Sequence, residues 1–499
     1  MLIAWMLVVC LQINNHTMWR DEVRALSIAL DGNTVFDMIR TLHGEGHPAI
    51  WYLLLRASYA VFGSVGVLPA TAFIVGAGAV ALLTVFSPFP RLVIIGIIFS
   101  NLLSYEYVAM ARNYGISILL MFLLAVVWKT QRGGRFLPGF LLFLLANTNV
   151  IGAMMVGSFL LFWLVELLEA QGLAWNNRSR DFTINAVIGT VGVALCAVTI
   201  LPTFNDAATR DMAGDSLVWV AINALVNPAA TSLSTLVSGD IPDIINNILL
   251  FALPVGLIAR RSAFLSALSA LAISSLFFAV AAPGAQRHAG VFFFYCVTLY
   301  WISWEDVKFA LSSAADNKVV KLMTQVGLVG CVVLIELVAI IGLYRAGERI
   351  ADVVPVESRS ADLGRLIGSR EDLAHATILA DPDYMVEALP YYVDNPLYLL
   401  RRQRVGRIVI FSRAGKLTTT LGEILETGRD LRKTTGAPVI ILLAHRLDQV
   451  VPNQVYREGY NWSFTASADE IKNFTFATKR IARFGPAATD ETYDVYVLE

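Results

Sequence analysis

A chain of 499 residues that is 56% hydrophobic, 15% charged and has a mean hydropathy of +0.62 is not built for water, which excludes an ordinary soluble globular protein. The formal net charge of -1 hides an uneven distribution, sparse before about residue 345 and ordinary after it, and no nucleic-acid partner is expected. The shift divides the chain into a membrane part, 1–345, and a polar C-terminal part, 346–499.

Spanning helices need about 20 apolar residues, somewhat fewer where flanking side chains snorkel. Runs of this kind cover 2–13, 67–87, 92–103, 114–127, 136–146, 150–168, 182–201, 241–257, 263–281, 290–304 and 322–344, which predicts about eleven transmembrane helices. The first run lacks a basic leader and a small-residue cleavage site, so it reads as a retained helix. Cys10, Cys196, Cys296 and Cys331 all fall in apolar runs and read as small buried hydrophobes.

Lys and Arg collect in five short loops: Arg91; Lys129, Arg132 and Arg135; Arg178 and Arg180; Arg260 and Arg261; Lys308, Lys318 and Lys321. Cytoplasmic loops are enriched in these residues, and alternation of the spans puts all five on one face. The expectation is a multi-pass protein of the inner or plasma membrane with a cytoplasmic N-terminus. Segments 14–48, 202–240, 282–288 and the C-terminal domain would then be periplasmic or extracellular. Segment 49–63 is apolar but contains Arg56, and counting it as a span reverses the parity, so an interfacial or half-inserted helix is expected there.

The first outer segment, 14–48, has internal pattern. Val23, Leu26 and Leu30 share one helical face, as do Val35, Met38, Ile39 and Leu42, with Asp31-Gly32-Asn33 as the turn, so two amphipathic surface helices are predicted. Trp19-Arg20-Asp21-Glu22 opens the segment and His43-Gly44-Glu45-Gly46-His47-Pro48 closes it. Asp21 is either a helix N-cap or a general base able to take a proton from a hydroxyl within hydrogen-bond reach; Glu22 is the second member of the acidic pair or simply solvated. His43, Glu45 and His47 alternate as ligands of a divalent metal could, but the spacing fits no established metal motif. Pro48 marks the start of the next helix.

Tyr105-Glu106-Tyr107 and Arg112-Asn113-Tyr114 fall where two spans meet outside. Ionisable groups so close to hydrocarbon default to a functional reading, against the plainer one of an interfacial salt bridge with a snorkelling arginine. On one continuous helix Glu106 and Arg112 would point about 240° apart, so a shared site requires the backbone to turn between them, and that turn is expected. Arg287-His288 follows Pro283-Gly284 in the tight loop before the 290–304 span. Two cationic-capable groups at the surface suit a phosphate, or ordinary lipid headgroups.

Taken together, these residues resemble the GT-C superfamily of integral-membrane glycosyltransferases, in particular bacterial proteins similar to the protein mannosyltransferases of glycosyltransferase family 39. The likeness rests on the acidic pair Asp21 and Glu22, on Gly46-His47-Pro48 followed by Ala49-Ile50-Trp51-Tyr52-Leu53, on Arg112 and Tyr114 at a later helix start, and on Arg287-His288. It covers residues up to about 345, and Ala49 departs from the pattern where many relatives have a second proline. The resemblance implies transfer of a sugar from a polyprenyl-phosphate carrier to an extracytoplasmic lipid, glycan or protein, with inversion. Asp21 would be the base, Arg112 with Arg287 and His288 would hold the phosphate, and Glu22, Glu106 and His47 would orient acceptor or sugar.

In the C-terminal part, 376–379, 407–411, 438–443 and 493–497 read as short buried strands, with a helix through Leu417, Leu421, Ile424 and Leu425 stopped near Gly436, a small soluble α/β domain. Asp381-Pro382-Asp383 resembles a ligand-binding strand end and equally a turn with a helix cap. Rossmann glycine spacing is absent. Acceptor recognition, a lid over the membrane site, or a purely structural role all fit. A transporter or flippase would predict internal repeats, which the sequence lacks; a lipid-linked polysaccharide polymerase or ligase, also using polyprenyl donors, is the nearer rival.

Overall fold

The structure is a computed structural model and describes residues 1–43, 45–130, 135–201, 216–237, 241–312 and 317–499. Gly44, Arg132 and, within segment 202–240, residues 202–215 and 238–240 lie outside the described residues. The helices are α1 (Leu2–Asn15), α2 (Arg20–Ala29), α3 (Val35–Leu42), α4 (Ile50–Phe62), α5 (Val67–Phe86), α6 (Arg91–Ile98), α7 (Tyr114–Thr130), α8 (Leu137–Ala146), α9 (Val150–Gln171), α10 (Asn177–Ile200), α11 (Leu217–Val226), α12 (Asp243–Val255), α13 (Arg261–Val280), α14 (Gln286–Leu311) and α15 (Lys318–Ile350). Among the described residues, α5, α9, α10, α13 and α15 are the five long and apolar enough to cross a membrane. The other apolar runs also fall on helices, but α1, α7, α8 and α12 are shorter than that limit, and α6 ends at Ile98 instead of continuing through 103. Helix α11 stands inside the segment expected as an outer loop, and packs on α13 through its buried Ala224.

Helix α14 is the axis of the membrane part. It is buried from Ala289 to Ser303 and packs on α7, α13 and α15. Arg287 stands in its first turn, while Asp306, near its far end, meets Arg260, which also pairs with Glu166 at the end of α9. At 1.5 Å per residue these two charged clusters are roughly 28 Å apart along the helix, close to the thickness of a bilayer's hydrocarbon core. Arg135, bound to Asp181, joins the loop between α7 and α8 to the start of α10.

Segment 14–48 folds into two helices where its periodicity predicts them. Helix α2 is started by the Glu22 carboxylate accepting from the Trp19 amide, and α3 by reciprocal bonds between Thr34 and Asp37. Helix α4, 13 residues long, packs against α2 and α5. Arg56 explains the arrangement: its guanidinium donates to the carbonyls of Ala29, Asp31 and Gly32, the unpaired C-terminal end of α2.

Beyond α15 the chain forms α16 (Ser360–Gly368), α17 (Leu421–Thr435), α18 (Ala468–Ala477) and nine strands: β1 (Thr377–Asp381), β2 (Leu397–Leu399), β3 (Arg404–Val405), β4 (Thr418–Thr420), β5 (Val439–Leu443), β6 (Val455–Arg457), β7 (Ser463–Thr465), β8 (Lys479–Phe484) and β9 (Tyr493–Leu498). One sheet has the order β3-β2-β1-β5-β9-β8, parallel at β2-β1-β5, and a second has the order β4-β7-β6. Helix α17 stops at Gly436, which adopts φ 70°. The expected strand at 407–411 does not form. The Val409 amide there donates to the buried Glu387 carboxylate instead of to a strand, while Val409 and Phe411 fill the core under the first sheet.

Candidate active site

Asp21 is the second residue of α2, so the N-cap alternative does not hold; Trp19 is the cap. Its carboxylate leaves the helix and meets two arginines from distant elements. Oδ2 lies 2.5 Å from Nη1 of Arg112 and 3.7 Å from Nη2 of Arg287. The side chain keeps 29% of its surface accessible, whereas Arg112 keeps 10%. Burial alone would push the Asp21 carboxyl up, but Arg112, then Arg287 and Arg20, outweigh it and hold the group down at about 2.

A break in the helical backbone brings Arg112 there. After α6 a π-turn, Leu102–Glu106, gives way to non-helical chain before α7 begins at Tyr114. This is the turn that the 240° argument requires, and it puts Glu106 and Arg112 on one site: Oε2 of Glu106 is 4.0 Å from Nη1 of Arg287. The Arg287 backbone is fixed by Tyr107, whose hydroxyl donates to the Arg287 carbonyl at 2.7 Å. Gly290 makes room for that hydroxyl, since a Cβ there would stand 2.3 Å from it.

Arg287 and His288 belong to the first turn of α14, not to the preceding loop, because His288 Nδ1 accepts from the Ala285 amide at 2.8 Å. That bond leaves Nε2 to carry the proton of the neutral ring. The ring stands edge-on to Tyr114, centroids 5.2 Å apart, and His47 approaches Tyr114 from another side at 6.3 Å. His47 lies 3.4 Å from both Arg112 Nη2 and Asn113 Nδ2. Burial, followed by the positive field of Arg112, lowers the His47 ring to about 4, so it is neutral at pH 7.

Asp21, His47, Glu106, Arg112, Tyr114, Arg287 and His288 therefore converge at one end of the helices. Glu22 does not face them. Its side chain is fully buried and not solvated: Oε2 meets His16 Nε2 at 2.8 Å and Oε1 accepts from the Ala111 amide at 2.6 Å. Glu22 thus joins α2 to the loop immediately before Arg112. Glu45 also turns away, gripped through both oxygens by Arg24 at 2.6 and 2.7 Å. Among the described residues no three His, Cys, Asp or Glu side chains come together as a metal ion would require.

Trp19 and Arg20, which the sequence offers only as neighbours of Asp21, frame this cluster together with Arg24. Trp19 places its ring 5.9 Å from the Arg287 guanidinium. Arg20 pairs with Asp490 at 2.6 Å and donates its amide to Glu491 at 2.9 Å, while Arg24 also binds Glu387, so the C-terminal part sits directly on α2. No local signal announces these contacts, because the partners lie hundreds of positions away. Among the described residues, the buried Trp19 Nε1, Glu106 Oε2, Asn113 Oδ1 and Arg287 Nε have no hydrogen-bond partner. Unmet polar atoms converging on one place are what a site completed by a polar ligand leaves behind.

The chain matches no family model and no curated protein. It is similar to solved structures of ArnT from Cupriavidus metallidurans, in the apo state and bound to undecaprenyl phosphate. The first is 12% identical, with 100% of this chain and 96% of that chain covered at a TM-score of 0.48; the second is 12% identical, with 99% and 97% covered at 0.47.

Proposed function

We propose that the chain is an inverting glycosyltransferase that moves a sugar, as a hexosyl group, from a polyprenyl-phosphate donor to an acceptor on the extracytoplasmic face of the membrane. The observation that carries this reading is Asp21, a carboxylate at the end of the helices, partly open and faced by Arg112 and Arg287. The Arg260 cluster at the other end of α14 supports an outward-facing site, since basic short loops favour the cytoplasm. Nucleotide sugars do not cross a bilayer, so such a site calls for a lipid-linked donor.

The chemistry follows from the charges. The polyprenyl phosphate leaves the anomeric carbon with the bonding electrons on its phosphate oxygen and needs positive charge where that charge grows, which Arg112 and Arg287 supply. The acceptor hydroxyl attacks the anomeric carbon from the opposite side, and its proton passes to Asp21. In the resting site Asp21 is a weak base, held at about 2 by the same guanidiniums. Donor phosphate draws those guanidiniums onto itself, and each pairing Asp21 loses raises its proton affinity, so the base is released when the donor is seated. Glu106 and neutral His47 orient sugar and acceptor, His288 adds an N–H donor beside the phosphate, and Glu22 acts by holding the Arg112 loop.

Purified protein incubated with radiolabelled polyprenyl-phosphate sugars and a cell-envelope extract should label the extract. Asp21→Asn should abolish labelling at unchanged protein yield. Transfer that persists in Asp21→Asn removes Asp21 as the base, and no labelling from any donor with the unaltered protein removes the reading as a whole.

A further inference from the structure

Beside the site, α2 and α3 on one side and the β2–β3 edge on the other enclose a cavity of about 820 Å³. Its lining is net positive. Arg40, Arg402, Arg404 and Arg407 line it, and among the described residues Arg402, Arg404 and Arg407 have no carboxylate partner. Of the lining carboxylates, Glu45 is held by Arg24, and Asp31, which accepts from the Thr41 hydroxyl, and Asp394 remain, so the four arginines outnumber them. Leu30 and Val65 form an apolar wall, Val65 lying just before the spanning helix α5. The Arg24–Glu45 pair lines the cavity, and Glu45 is two residues from His47, which touches Arg112.

Four exposed guanidiniums facing the two remaining carboxylates give the cavity a positive field that draws an anion into it. Guanidinium forks match phosphate oxygens in pairs, and the apolar wall beside the membrane suits the hydrocarbon of an amphiphile. We infer that this cavity seats the acceptor, and that the acceptor carries an anionic phosphate group held by Arg402, Arg404, Arg407 and Arg40 while its hydroxyl reaches past His47 to Asp21. The cavity as an acceptor site rests on the sugar-transfer reading above; its preference for a phosphate does not.

The test uses the full chain in detergent and isothermal titration with three probes: dioctanoyl phosphatidic acid, dioctanoylglycerol and glycerol 3-phosphate. Phosphatidic acid should bind at least about tenfold more tightly than dioctanoylglycerol, as expected for even one charge-assisted hydrogen-bond pair. The triple variant Arg402→Ala, Arg404→Ala, Arg407→Ala should lose that preference at unchanged melting temperature, while Asp21→Asn keeps it. Glycerol 3-phosphate binding as well as phosphatidic acid identifies a free phosphate-bearing acceptor, and binding of phosphatidic acid alone identifies a lipid-borne one. Equal binding of phosphatidic acid and dioctanoylglycerol, or a triple variant that binds like the unaltered protein, overturns the inference. In the transfer assay the triple variant should raise acceptor KM at least about tenfold and leave slow donor hydrolysis by water unchanged. Phosphate-selective binding with no donor turnover would sink the transfer reading alone.

Discussion

Asp21 and Arg112 meet at 2.5 Å although one belongs to α2 and the other to the broken stretch between α6 and α7. On the proposed reading, the pair keeps Asp21 a poor base until something anionic competes for the guanidinium, so the two residues should respond to substitution in opposite ways. In Asp21→Asn, donor binding should hold or tighten, because a negative charge leaves the phosphate site, while turnover falls by about a hundredfold or more, the usual range for loss of a general base. Titration of a fluorescent polyprenyl phosphate alongside the transfer assay separates the two effects.

Arg287→Ala should weaken donor binding by about ten- to a hundredfold, the loss of one or two hydrogen bonds to a charged group. Arg287→Lys should recover part of it, since an ammonium retains the charge but not the fork. Equal donor affinity in all three proteins would remove Arg287 from the phosphate site.

Glu22→Gln tests positioning rather than chemistry. Its carboxylate joins His16 to the Ala111 amide, and replacing it by a neutral amide leaves Glu357 as the carboxylate partner of the buried His16 ring, which costs on the order of 1–3 kcal/mol. The melting temperature should fall, in contrast to Asp21→Asn. Residual transfer in Glu22→Gln should keep the pH profile of the unaltered protein, because Asp21 still takes the proton.

The same pair makes stability pH-dependent. Burial disfavours a charged His16 ring, but Glu22 and then Glu357 overcome it and raise the ring from 6.5 to about 10. Folded His16 therefore binds its proton more tightly than the unfolded chain does. That contribution is complete below pH 6.5 and is lost as the pH rises through 10. Thermal unfolding between pH 6 and pH 10 should show a steady loss that is absent in His16→Gln.

Much of the candidate cluster was legible in the sequence because its residues lie next to one another in short polar stretches interrupting apolar runs. Asp21, His47, Arg112 and Arg287 could be picked out from the cost of charge near hydrocarbon alone. Their neighbours could not be sorted by sequence: Asp21 and Glu22 are adjacent, yet one carboxylate opens on the arginines and the other is buried against His16, a choice made by what packs on α2. The C-terminal strands were legible at 376–379, 438–443 and 493–497, whose continuous apolar pattern reflects burial on both faces. The edge strands β3 and β6 carry exposed, mixed residues with no such pattern, and 407–411 looked like a strand only because Val409 and Phe411 are buried by tertiary packing.

The grip of Asp490 and Glu491 on Arg20 has a consequence for how the protein is made. Glu491 follows Arg20 by 471 residues. At roughly 5–20 residues per second, a ribosome needs on the order of half a minute to a minute and a half to cover that interval. Helix α2 thus leaves the ribosome long before Asp490 and Glu491 exist, so a chain whose apolar helices are all made still holds Arg20 without its carboxylate partners.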